Sequence, residues 1–208
     1  MTTGADGRYT LTVDSGEYYL GTMGPSSLYQ AGWYNKASGW TDADPWTFWA
    51  GTSTTINFTI YRKAPVFRFF NKLNMTHFFT DSIAERDHVI ATWPGVYDYE
   101  GIAYYTSPNT DLQPLYRFYN TRSNSHFYTA SADERSRVIA TWPTIFNYDG
   151  PTYRVSAGPD YGRSPVYRFY NVRNGSHFYT ASLDEANHVI VTWPDVYQFE
   201  GPAFWIGQ

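Results

Sequence analysis

Residues 125–143 read SHFYTASADERSRVIATWP, and nearly the same string stands at 76–94, THFFTDSIAERDHVIATWP, and at 176–194, SHFYTASLDEANHVIVTWP. Each copy is preceded by an aromatic phrase: PVFRFFN (65–71), PLYRFYN (114–120) or PVYRFYN (165–171). Each is followed by a glycine-centred one, YEGIAYYTS, YDGPTYRVS or FEGPAFWIG. His77, His126 and His177 fall 49 and 51 residues apart. Residues 65–208 are therefore an internal repeat of three units, 65–113, 114–164 and 165–208, about two-thirds of the chain.

Every unit carries the same local signals. The first phrase alternates aromatic residues as a strand does. A turn follows, plainest at Asn174-Gly175, a favoured two-residue hairpin signal. HFYT or HFFT is the return strand. Ser82, Ser131 and Ser182 then stand three residues before Glu85, Glu134 and Glu185, the spacing of a capping box. In that motif the serine caps an early helix N–H and the glutamate reaches back to the serine amide. The helix stops near Trp-Pro, because Pro94, Pro143 and Pro194 disfavour helical geometry in the residue before them. A closing strand follows the glycine at 101, 150 or 201.

Such a unit cannot bury an apolar face alone. The expected fold is mainly β, with the three units closing around a pseudo-threefold axis in a β-trefoil-like module with one short helix per repeat. Three loosely joined ββαβ minidomains are the alternative. Residues 1–62 lack the repeat and contain GRYTLTV, GEYYLGTM and TTINFTIYR, strand-like runs that predict a separate β-domain ending near Pro65.

The composition narrows the function. The 208 residues include 20 Tyr, 14 Phe and 8 Trp, a surplus of rings that suits either a stacking surface or the filling of small cores. A net charge of −4 with no basic stripe argues against nucleic acid. The absence of cysteine removes disulfides, Cys–Zn sites and thiol catalysis. No apolar run approaches the roughly 18 residues of a membrane span. The polar opening MTTGADGRYT does not read as a signal peptide, so an exported form would carry its signal upstream.

Two resemblances add to this. Residues 4–60, GADGRYTLTVDSGEYYLGT…YQAGWYN…INFTI, resemble the later strands of a carboxypeptidase-regulatory-like (prealbumin-type) β-sandwich that lacks its first strands. The YRFYN…HFYT…ATWP…YEG repeats resemble a repeat family of unknown function found in secreted bacterial and fungal proteins, often appended to hydrolases. The resemblance implies an extracellular, non-catalytic module tethered to or derived from an enzyme. It implies no ligand and no binding residues.

The residues themselves suggest a site. Alternation across a hairpin on Asn174-Gly175, with Tyr170 opposite Tyr179, places Arg168, Tyr170, His177 and Tyr179 on one face. Tyr167, Phe169, Phe178 and Thr180 fall on the other face, the expected core. The equivalents of the first set are Arg117, Tyr119, His126 and Tyr128, and Arg68, Phe70, His77 and Phe79. Flat rings beside a guanidinium and an imidazole suit a sugar, whose C–H face packs on a ring while polar groups hold its hydroxyls. The first unit lacks both phenols and is expected to be the weakest site or an unused one.

The same pattern has a structural explanation. Symmetric packing repeats residues too, and the arginines can pair with Glu85, Glu134 and Glu185 or with the acids at 100, 149 and 200. Trp93, Trp142 and Trp193 are expected on a helix face turned to the core. A His₃ metal centre requires the three imidazoles to meet at the axis. Catalysis is not expected, since an active site tunes one acid against another and here each unit repeats its siblings. No cofactor is implied. Three sites on one body favour a polymeric target through effective concentration. The reading is a lectin-like accessory module for cell-wall or polysaccharide glycans. A protein-interaction or architectural module positioning a secreted hydrolase is the alternative.

Overall fold

The computed structural model describes residues 8–22, 32–33, 45–57, 63–106, 112–159 and 163–207. These are mainly β, with three short helices and five small antiparallel sheets, none of them closed. Among the described residues no helix is long and apolar enough to cross a membrane.

Ahead of the repeats, β1 (Gly16–Tyr18) pairs with β4 (Trp46–Phe48), and β2 (Gly21–Thr22) pairs with β3 (Gly32–Trp33). The expected strand at GRYTLTV is not formed over residues 8–13, and the run TTINFTIYR lies partly outside the described residues.

The first repeat comprises β5 (Ala64–Asn71), β6 (Thr76–Thr80), α1 (Ile83–Thr92) and β7 (Tyr97–Thr106). The second comprises β8 (Gln113–Asn120), β9 (Ser125–Thr129), α2 (Ala132–Thr141) and β10 (Phe146–Val155). The third comprises β11 (Ser164–Asn171), β12 (His177–Thr180), α3 (Leu183–Thr192) and β13 (Tyr197–Ile206). In each, the first strand is central, with its hairpin partner on one edge and the closing strand on the other. The unit is thus three strands and a helix.

The hairpins are wider than the Asn-Gly signal predicts. Phe169 faces Phe178 and Tyr170 faces His177, so the register lies two residues from that of a two-residue turn. Asn71, Asn120 and Asn171 open each loop, their side-chain oxygens accepting from the amides of Leu73, Arg122 and Arg173 at 3.0 Å. Met75, Asn124 and Gly175 close it at φ of 59°, 49° and 73°. Gly175 therefore serves as the last, left-handed residue of a four-residue loop rather than the second residue of a tight turn. A shift of two keeps every side chain on its expected face.

Each three-stranded sheet buries residues on both of its faces. The helix covers one: Phe67, Phe69, Phe78 and Val89 in the first unit, Phe118, Phe127 and Val138 in the second, and Phe169, Phe178, Ala186 and Val189 in the third. On the opposite faces Val66, Leu115 and Val166, with Phe79, Tyr128 and Tyr179, form one core shared by all three units. The edge strands β6, β9 and β12 touch one another pairwise, which makes the contact between units cyclic.

Candidate functional site

The sequence-derived residues converge, but on the joints between units rather than on open surface. Arg117 donates to Glu85 of the preceding unit at 3.0 Å. Arg168 donates to both oxygens of Glu134 at 2.9 and 3.1 Å. Arg68 closes the ring on Glu185 at 3.0 and 3.3 Å. Within its own unit each guanidinium also meets an acid: Arg68–Glu100 at 2.6 Å, Arg117–Asp149 at 3.1 Å and Arg168–Glu200 at 2.7 Å. That acid is the extra residue of a β-bulge opposite the arginine, followed by Gly101, Gly150 or Gly201 at positive φ, so the bulge aims the carboxylate.

The glutamates reach these arginines because they abandon half of the expected capping box. Each serine does cap its helix, accepting from the amides of Glu85, Glu134 and Glu185 at 3.1–3.2 Å. The serine amides, however, donate to the hydroxyls of Thr80, Thr129 and Thr180 at 2.9–3.0 Å. The carboxylates are left to cross the joint. Burial alone would raise Glu85 and Glu134, yet hydrogen bonds from arginine and threonine outweigh it and hold both below the usual carboxylate range. Glu185 behaves likewise, with Thr180 and Arg68 as its partners.

The imidazoles follow the same direction around the ring. His77, His126 and His177 lie with ring centroids 5.3, 4.9 and 4.8 Å from Phe178, Phe78 and Phe127 of the neighbouring unit. Within their own units they face Phe70, Tyr119 and Tyr170 at 5.3–5.5 Å. Burial, and then the adjacent arginine, lowers His77 and His126 to about 4 and His177 to about 3. All three are neutral wedges at pH 7. Among the described residues no group of three or more His, Cys, Asp or Glu is placed to hold a metal ion, so the His₃ arrangement does not form.

The expectation that this face points to water fails at Tyr128 and Tyr179. Tyr128 and Tyr179 are 1% and 2% exposed. The Tyr128 hydroxyl accepts from the Phe79 amide at 3.0 Å and donates to the Phe79 carbonyl at 2.9 Å. Tyr179 treats Tyr128 the same way, at 2.9 and 2.8 Å. Such a hydroxyl satisfies two backbone groups that an edge strand turns away from its own ladder. Tyr119 and Tyr170 are partly exposed, and Tyr119 donates to Asn124 at 3.0 Å.

The surface rings lie elsewhere. Trp93, Trp142 and Trp193, expected in the core, are 42–44% exposed. Each is the C-cap of its helix, with φ/ψ near −130°/50°, its amide bonded to the carbonyl of Val89, Val138 or Val189 at 3.0 Å. In turn its carbonyl accepts from the first residue of the next strand and from the residue before it. Helical periodicity does not extend to a non-helical residue, which is why the indole leaves the apolar face. His88 and His188 stand edge-on to Trp93 and Trp193 at 5.2 and 5.3 Å, and Arg137 occupies the equivalent position in the second unit. Tyr99, Tyr148 and Phe199 are also exposed on the closing strands.

A cavity of about 350 Å³ lies at the joint of the first and third units, bounded by Arg68, Phe79, Glu100, Tyr104, Tyr179 and Glu185 among others.

These features define a class: a β protein of three ββαβ repeats in cyclic contact, each joint built around an arginine–glutamate pair and an imidazole packed on the neighbouring unit's phenylalanine. The chain belongs to the family described as domain of unknown function (DUF5648), whose profile matches residues 26–144 and 144–208. That match reaches upstream of the first repeat. No curated protein and no solved structure matches the chain.

Proposed function

We propose that the chain is a non-catalytic, multivalent binding module for polysaccharide, with Trp93, Trp142 and Trp193 as its contact rings. The observation that carries this is the half-exposure of three equivalent indoles, each on a residue whose backbone is held by hydrogen bonds and followed by a proline. A rigid indole lets a sugar's C–H face stack at little conformational cost. The flanking His88, Arg137 and His188 supply polar edges for hydroxyls. Arg68, Arg117, Arg168 and the three joint histidines support the body that holds the platforms apart. We further propose a β-trefoil-like closure of the repeats, an extracellular setting, and a β-sandwich spacer in residues 1–62 linking the module to a secreted enzyme.

Exposed aliphatic side chains on the helices that end at the indoles, Ile90, Ile139, Ile190 and Val191, favour a second reading in which the helices dock a protein. A polysaccharide pull-down separates the two. The wild-type chain is expected to be retained, and Trp93→Ala with Trp142→Ala and Trp193→Ala to lose retention by about 10²-fold. Retention unchanged in a folded triple variant, or no retention on any glycan, refutes the sugar reading.

A further inference from the structure

Two of the three joints are sealed by a phenol, and the third is not. At the position of Tyr128 and Tyr179 the first unit has Phe79, which offers no hydroxyl to the amide and carbonyl of Tyr179. The cavity lies at this joint, between the Phe79 and Tyr179 that a hydroxyl would have linked.

We propose that this cavity is a binding site for a neutral, hydroxyl-bearing ring compound, whose hydroxyl takes the place of the absent phenol on the Tyr179 peptide. The volume falls at the small end of ligand pockets. Phe79 and Tyr104 stack at 6.1 Å and 24°, and with Ile102, Ala103 and Ala181 they give the cavity an apolar wall for a ring. The polar wall is Arg68 with Glu100 at 2.6 Å and Glu185 at 3.0 Å. Two carboxylates on one guanidinium leave a net negative lining, which repels anions, while the apolar wall of Phe79, Ile102, Ala103 and Ala181 favours an uncharged ring. A hydroxyl can accept from an N–H and donate to a C=O through a single oxygen, as Tyr128 and Tyr179 already do. Phenols and monosaccharides share this chemistry. The site is separate from the tryptophan platforms and does not depend on them.

The test is an amide NMR titration of the full chain with phenol in one arm and glucose in the other. The Tyr179 amide is expected to shift in a saturable way in at least one arm, while the Phe79 and Tyr128 amides, already capped, move little. Phe79→Tyr supplies the missing oxygen. It should abolish the Tyr179 response, weaken binding at least about tenfold, and raise Tm by about 2–4 °C. The Tm reading also establishes that the variant folds. The triple tryptophan variant should keep the Tyr179 response. No saturable shift with either probe, or an equal response in folded Phe79→Tyr, overturns the proposal and leaves water as the occupant.

Discussion

The joint of the third unit on the second and the joint of the first unit on the third use the same parts and differ most at one oxygen. In the former, Arg168 grips Glu134 through two nitrogens and the Tyr179 hydroxyl bridges the Tyr128 peptide. In the latter, Arg68 meets both Glu185 oxygens through Nη1 alone, and Phe79 bridges nothing. The Arg68 side chain is also more exposed than that of Arg168, 22% against 16%. Repetition fixes where each side chain goes, and the loss of a single atom then opens one joint without dismantling the ring.

The comparison can be broken most severely with acid, because every joint contains a largely buried, neutral imidazole. The unfolded chain binds protons at its histidines near 6.5, whereas the folded chain resists until about 4 at His77 and His126 and about 3 at His177. Stability is therefore complete above pH 6.5 and lost as pH falls through those folded values, by about 1.4 kcal/mol per histidine per unit of separation. The lowered carboxyls of Glu85, Glu134 and Glu185 act with the same sign at lower pH, while the raised carboxyl of Asp149 opposes them. Denaturant melts between pH 7 and 4 should show a loss of several kcal/mol. A flat profile would mean that the imidazoles titrate freely.

A smaller perturbation sharpens the contrast. Tyr179→Phe converts a sealed joint into a copy of the open one, leaving the Tyr128 amide and carbonyl uncapped. Urea unfolding should register a loss of about 1–3 kcal/mol. An unchanged midpoint would show that the phenol is not structural.

Much of the unit was legible locally. The serine caps, the helix ends before proline and the alternating strands arise from contacts within a few residues of each other. Three misreadings have local causes as well. Gly175 is equally at home at the end of a wider loop. Thr80, Thr129 and Thr180 take the serine amides that the capping glutamates were expected to hold. Trp93, Trp142 and Trp193 stand one step beyond the helix, where a 100° periodicity no longer applies. The joints were hidden for a different reason: each pairs an arginine with a glutamate in another unit, 32, 34 or 117 positions away. Nothing in one copy shows which neighbour its side chains will meet, and a face rich in Arg, His and Tyr reads alike whether it binds sugar or its own sibling.

That these residues bind units to each other is tested most directly by a double-mutant cycle on Arg168→Met and Glu134→Gln, followed by unfolding free energy. Coupling of about 1–3 kcal/mol is predicted for a part-buried, bidentate pair. Coupling indistinguishable from zero would contradict the assignment and return Arg168 to the list of residues free to hold a ligand.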